Sequence, residues 1–166
     1  INKEGFSLDQ IKELYQNRSS NFLEADHLIP FEEMDDQIWH LGAEVFIPAA
    51  ASRLLTRNQI KAMAHNGLEV ISSGANVPFA DQEIFYGPIS EYADHLVSCI
   101  PDFISNCGMA RVFAYLMRDD ADISDRAIFQ DVSASIREGL QAAHHHNPDP
   151  LQLTKTAFEV ALKKLV

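Results

Sequence analysis

The sequence predicts an α/β fold: a partial parallel sheet of about three to four strands flanked by helices, with further helices toward the C-terminal end. Three observations predict it. Apolar runs rich in β-branched residues stand at residues 43–47, 68–71 and 95–100, the composition of buried strands. Each empties into a turn segment: Pro48-Ala49-Ala50-Ala51, then Ser73-Gly74-Ala75-Asn76-Val77-Pro78, then Pro101-Asp102-Phe103-Ile104-Ser105-Asn106-Cys107-Gly108. Helical patterning fills the intervals, and the spacing from one run to the next fits the roughly 30-residue strand-helix-strand unit, whose strands run parallel. Ligands of open parallel sheets sit beyond the carboxyl ends of the strands, which places Asn76 and Asn106 at the expected site.

Taken in order, Ser7 and Gln10 form a reciprocal capping box ahead of Leu8, Ile11, Leu14 and Tyr15, which share one helical face. The polar stretch from 17 to 36 reads as a loop, with a short helix expected around 31–38. After the first strand, Thr56 and Gln59 repeat the capping-box signal, Ile60 and Met63 supply an apolar face, and Asn66-Gly67 ends the helix. The second strand is expected to run to Gly74. A helix over 81–92 follows, broken at Gly87-Pro88. The third strand ends at Pro101-Asp102, and a helix is expected from near Asn106, with Ile104, Met109, Val112, Phe113 and Leu116 available for burial. Its free N–H groups and positive dipole end would face the crevice. Ser124 and Asp125 open a long helix through Ile128, Val132, Ile136 and Leu140, ending at His144-His145-His146. Adjacent helical residues point about 100° apart, so these histidines suit the helix dipole rather than one metal ion. A last helix is expected to begin at Pro150, with Leu153, Ala157, Val160 and Leu165 as its apolar stripe.

With 166 residues, 46% hydrophobic and 22% charged, the chain reads as a single domain over 1–166. A formal net charge of -11 argues against a nucleic-acid surface, which needs clustered Lys and Arg. No apolar run reaches membrane-spanning length and no signal peptide opens the sequence, so a soluble cytoplasmic protein is expected. The first residue, Ile1, suggests a piece of a longer polypeptide. Cys99 and Cys107 are expected as reduced thiols, and a nucleophilic Cys107 would need a helix N-terminus beside it. No G-x-G-x-x-G turn, P-loop, Ser-His-Asp set or zinc-ligand spacing occurs. Spacing and composition therefore stop at a ligand-binding α/β domain.

The turn segments go further. Ile47-Pro48-Ala49-Ala50, Gly74-Ala75-Asn76-Val77-Pro78 and Ile100-Pro101-Asp102 through Asn106-Cys107-Gly108 resemble, in order and spacing, the C-terminal coenzyme domain of the glutamate, leucine, phenylalanine and valine dehydrogenases. Family members read roughly I-P-A-A, E-G-A-N-x-P and I-P-D-x-x-x-N-A-G-G at these places. Asn2-Lys3-Glu4-Gly5-Phe6 is similar to the turn after the family's second strand. The resemblance spans essentially the whole chain.

It implies a partial Rossmann-like sheet, NAD or NADP as cofactor, and oxidative deamination of an L-amino acid to a 2-oxo acid and ammonia by the full-length protein, a homo-oligomer. Pro48, Ala49 and Ala50 would line the adenosine side; Gly74, Asn76 and Asn106 would meet the nicotinamide end. Gly108, Met109, Ala110 and Phe113 would face the substrate. The Gly-rich turn would lie upstream, and the catalytic Lys and Asp in an N-terminal substrate domain. This chain is thus assigned no catalytic or metal-binding residue, and no turnover alone. Departures from the pattern are Ser73 for Glu, Ser52-Arg53 for Glu-Asn, and Met109, Ala110 and Phe113 for Gly, a small apolar residue and Ser. Phe113 disfavours a carboxylate side chain and hence glutamate. A non-catalytic regulatory or assembly homologue is the alternative, and an unrelated domain sharing only its sheet is a third.

Overall fold

Three short strands, β1 (Val45–Phe46), β2 (Val70–Ser72) and β3 (Ser98–Ile100), lie side by side in that order, and both pairings are parallel. The partial parallel α/β sheet expected from the sequence is therefore present in the computed structural model, which describes residues 5–20, 23, 29 and 31–164. Asn2 to Glu4 of the first turn, much of the 17–36 loop and Leu165 of the last stripe lie outside the described residues. The chain divides into two compact units, 1–41 and 42–166.

In the first unit, α1 (Leu8–Gln16) starts at the predicted capping box. Gln10 N–H donates to Ser7 Oγ at 3.2 Å and Ser7 N–H donates to Gln10 Oε1 at 2.7 Å. Its apolar residues Leu8, Ile11 and Tyr15 are exposed, so periodicity predicted the helix but not a buried face. The helix expected over 31–38 is instead a single turn, α2 (Phe31–Met34), and a 3-10 turn at Ile38–His40.

In the second unit, α3 (Arg57–His65) connects β1 to β2 and α4 (Pro88–Leu96) connects β2 to β3. The Thr56–Gln59 capping box starts α3 as predicted. Leu55, Ile60, Met63, Leu68, Ile71, Phe79, Ala93, Val97 and Cys99 are buried and form the core around the sheet. The strands are shorter than the apolar runs. His95 and Leu96 finish α4 rather than open β3, and Val45 in β1 is exposed, as an edge strand allows. A parallel bridge between Leu55 and Phe79 joins the loops that follow β1 and β2.

Beyond β3 come α5 (Asp102–Ser105), α6 (Gly108–Leu116), α7 (Asp125–His146) and α8 (Leu153–Lys163). Ile104, Ala143 and Ala157 form a second buried cluster, flanked by Ile100, Ile136, Leu140 and Leu153. Ser124 caps α7 by accepting from Ala127 N–H, and the three histidines fill its last turn, as expected.

Two helix starts, those of α4 and α8, differ from expectation because of an aspartate. Segment 81–87 is not helical; Gly87 is the N-cap and Pro88 the first residue of α4, where its missing N–H is harmless. At the other, α8 begins at Leu153, not Pro150. An aspartate from elsewhere in the fold explains each. Asp81 Oδ1 and Oδ2 accept from Ile89 and Ser90 N–H at 2.8 and 2.9 Å, taking the place of a local N-cap side chain for α4. Asp94, on α4, does the same for α8, accepting from Thr154 and Lys155 N–H at 2.9 and 3.0 Å. Sequence-local capping signals cannot reveal a cap supplied 60 residues away.

Candidate functional site

The loops leaving the three strands are tied to one another. Pro48 ends β1 without an N–H to extend the ladder, yet its carbonyl accepts from Ala75 N–H at 2.7 Å. Ala49 then lies against Gly74. A Cβ at Gly74 would stand 3.0 Å from Ala49 Cβ and 3.3 Å from Ile47 Cγ2, so glycine is what lets these loops approach. Gly74→Ala should lower unfolding free energy by about 1 kcal/mol, read from chemical denaturation as a shifted midpoint at unchanged slope. Pro48 is buried, whereas Ala49, Ala50 and Gly74 are exposed along the same rim.

On the β2–β3 side, Ser105 Oγ donates to Ser73 O at 2.7 Å, which fixes the turn of α5 under the loop after β2. Above it, Asn106 Nδ2 donates to Asn76 Oδ1 at 2.7 Å. Two amides 30 positions apart thus meet at the carboxyl edge of a parallel sheet, where the sequence placed them. Both residues are exposed. Neither caps a following helix: Asn106 ends α5, its N–H donating to Asp102 O at 2.7 Å. With one oxygen and one N–H shared between them, the pair still offers amide donors and an acceptor to a ligand.

Asn106 leads through Cys107 into α6, which begins at Gly108, two residues later than the expected start. Cys107 is the N-cap residue, its thiol is free, and no side chain caps the first N–H groups of the helix. A Cβ at Gly108 would meet nothing within 4 Å. Residues 108, 111, 112 and 115 form the inward face of α6: Tyr115 is buried, and Arg111 pairs with Asp131 on α7, Nη2 to Oδ1 at 2.8 Å. That pairing raises the Arg111 pKa and lowers that of Asp131. Met109 and Phe113 therefore fall on the opposite face and are 66% and 61% exposed, with Ala110 also exposed. The expectation that Met109, Phe113 and Leu116 are buried is corrected; that residue set is an open apolar stripe.

Behind the rim, a cavity of about 30 Å³ is bounded by Ser73, Val77, Asp81, Tyr86, Asp102 and Thr154 among others, room for a water or two rather than a cofactor. Asp94 is fully buried, with Tyr86 Oη, from the cavity wall, donating to its Oδ2 at 3.2 Å. Burial raises the Asp94 pKa against the lowering effect of its backbone donors, and burial beside Asp94 pushes up both Tyr86 and the Cys99 thiol. Cys99 is thus an inert core thiol.

The profile of the Glutamate/Leucine/Phenylalanine/Valine dehydrogenase family matches residues 1–166. The chain belongs to this family. Among solved structures, the glutamate dehydrogenase of Plasmodium falciparum is similar at 16% identity with a TM-score of 0.51, covering 76% of this chain and 29% of that one. At that identity the likeness shows the fold alone. The chain spans less than a third of the length of the dehydrogenase it matches.

For a member of the dehydrogenase family, the structure brings together Pro48, Ala49, Gly74, Asn76 and Asn106 along one rim, with Gly108 opening the helix that follows. Sequence reasoning marked Arg53 and Ser73 only as departures from the family pattern and missed that they hold this rim. Arg53 donates from its backbone to Val77 O at 2.7 Å and from Nη1 to Asp81 O. Ser73 is buried, and its carbonyl accepts from Ser105 Oγ. Among the described residues, no helix is long and apolar enough to cross a membrane.

Proposed function

We propose that this chain is the C-terminal part of the coenzyme-binding domain of an NAD(P)-dependent L-amino-acid dehydrogenase. Residues 1–166 form one domain of it, and the Gly-rich turn and substrate domain belong to other parts of the polypeptide. The observation that carries the reading is the Asn76–Asn106 amide pair at the carboxyl edge of the sheet, in a chain that matches the family throughout. The rim fits a nicotinamide dinucleotide on its own chemistry: exposed amides for the nicotinamide carboxamide, small residues at 49, 50 and 74 beside exposed backbone, and uncapped N–H groups at the start of α6. When bound, NAD or NADP supplies the hydride acceptor for oxidation of an amino acid to a 2-oxo acid and ammonia.

Pro48, Ala49 and Ala50 hold the adenosine side, Gly74 keeps the rim low, and Asn76 and Asn106 orient the nicotinamide end. Met109, Ala110 and Phe113 face the substrate from the exposed side of α6, with Gly108 at the helix start beside it, and the apolar Met109 and Phe113 select an uncharged side chain over glutamate. The family's catalytic lysine and aspartate come from the substrate domain, so the 166 residues alone turn over nothing. The complete protein is a cytoplasmic homo-oligomer.

Titration calorimetry of the complete protein with NAD, NADP and ADP-ribose tests this. Asn76→Ala and Asn106→Ala should each weaken the preferred dinucleotide about 10-fold, the worth of a hydrogen bond or two, while ADP-ribose changes less than about twofold. A wild-type protein that binds neither dinucleotide sinks the reading. The large exposed Met109 and Phe113, where the family has Gly and Ser, favour one second reading, a regulatory or assembly homologue. It predicts dinucleotide binding without NAD(P) reduction by any of a panel of L-amino acids.

A further inference from the structure

One carboxylate joins the loops after β2 and β3, and the loop after β1 is tied to the same peptide through Arg53. Asp102, the first residue of α5, accepts from Val77 N–H through Oδ2 at 2.7 Å and from Phe103 N–H through Oδ1 at 2.8 Å. Its carbonyl accepts from Asn106 N–H at 2.7 Å. Val77 follows Asn76 directly and has a φ of 46°, a left-handed conformation that a β-branched residue rarely adopts. Its carbonyl accepts from Arg53 N–H, and Arg53, at φ 59°, is left-handed as well. Two non-glycine residues in unfavourable conformations, one in each of two loops, thus bond to each other, and the carboxylate of the third loop holds the pair. Such conformations persist only where the surroundings over-determine them.

We infer that Asp102 is a positioning residue: by holding Val77 with its side chain and Asn106 with its carbonyl, it sets the two amides on either side into their 2.7 Å contact. It need not touch the ligand. Its side chain reaches the residue after Asn76, and its carbonyl receives the N–H of Asn106, so one residue fixes the backbone beneath both. Asparagine at 102 preserves size but turns one of two acceptors into a donor, which then opposes Val77 or Phe103 N–H. With the amide nitrogen on the Val77 side, Val77 is released and Asn76 swings with it. This inference deepens the coenzyme reading, and rests on that reading only for the ligand bound.

The test is Asp102→Asn in the complete protein, with Asp102→Glu, which keeps the charge and displaces it by one methylene, as the second variant. Two readouts are needed. A crystal structure of either variant should show Asn106 Nδ2 and Asn76 Oδ1 beyond hydrogen-bond reach, about 3.5 Å. Calorimetry should show the dinucleotide weakened about 10-fold in Asp102→Asn and about threefold in Asp102→Glu, with ADP-ribose within twofold of wild type. A merely structural role would lower both affinities together. An amide pair unchanged in the variants overturns the inference, whatever the protein binds. A wild type that binds no dinucleotide while the pair separates in the variants overturns the coenzyme reading and leaves the positioning role standing.

Discussion

Gly87→Ala is expected to lower the unfolding free energy by about 3 kcal/mol and the melting temperature by roughly 6–12 °C, among the largest effects of any single methyl group added to this chain. The new Cβ would stand 2.5 Å from Asp81 Cγ and 2.6 Å from Asp81 Cβ, well inside contact distance. Asp81 has nowhere to go. Both its oxygens are committed to Ile89 and Ser90 N–H, and its carbonyl accepts from the Arg53 guanidinium. Relief therefore requires either lost caps on α4 or a shifted segment between β2 and α4, each worth one or more kcal/mol. Asp81→Ala alone should cost about 2 kcal/mol through the caps. Because the caps can be lost only once, the double variant should fall short of the sum of the singles by at least about 1 kcal/mol in denaturant unfolding. Strict additivity would mean that the collision is relieved without disturbing Asp81.

These capping aspartates also mark where the sequence was legible and where it was not. Strand runs, turn segments and local caps were readable because each signal lies within a few residues: Ser7 with Gln10, Thr56 with Gln59, and Ser124 at the head of α7 all act where the pattern put them. The parallel direction of β1, β2 and β3 followed from their apolar composition and spacing, and with it the placing of Asn76 and Asn106 at one edge. What escaped was every start or face decided by a distant partner. Asp81 makes Gly87-Pro88 a helix start rather than a kink, and Asp94 moves the start of α8 past Pro150. In α6 the apolar residues divide between two faces. Only the packing of Arg111 and Tyr115 against neighbouring elements decides that Met109 and Phe113 are the exposed ones. Periodicity names a stripe; it does not name which stripe is covered.

Asp94→Ala should be as severe, costing about 3–4 kcal/mol, because the carboxylate is fully buried and its loss strands Thr154 N–H, Lys155 N–H and the Tyr86 hydroxyl together. Asp94→Asn should be milder, about 1–2 kcal/mol: its oxygen can still serve one helix N–H and its amide can donate to Tyr86 Oη, but the second N–H faces a donor. The two variants also separate by pH. Burial raises the folded-state pKa of Asp94 above its ordinary value of 3.8, so between those two values the folded protein binds a proton that the unfolded chain has released. By linkage, stability from this group is complete below 3.8 and is lost as the pH rises through the raised folded value. Asparagine cannot titrate. The stability gap between wild type and Asp94→Asn should therefore be widest in acid and narrow toward neutral pH, measured by urea unfolding across that range. A gap that widens with pH would mean the backbone donors at the head of α8 outweigh burial, and that Asp94 is held there as an anion.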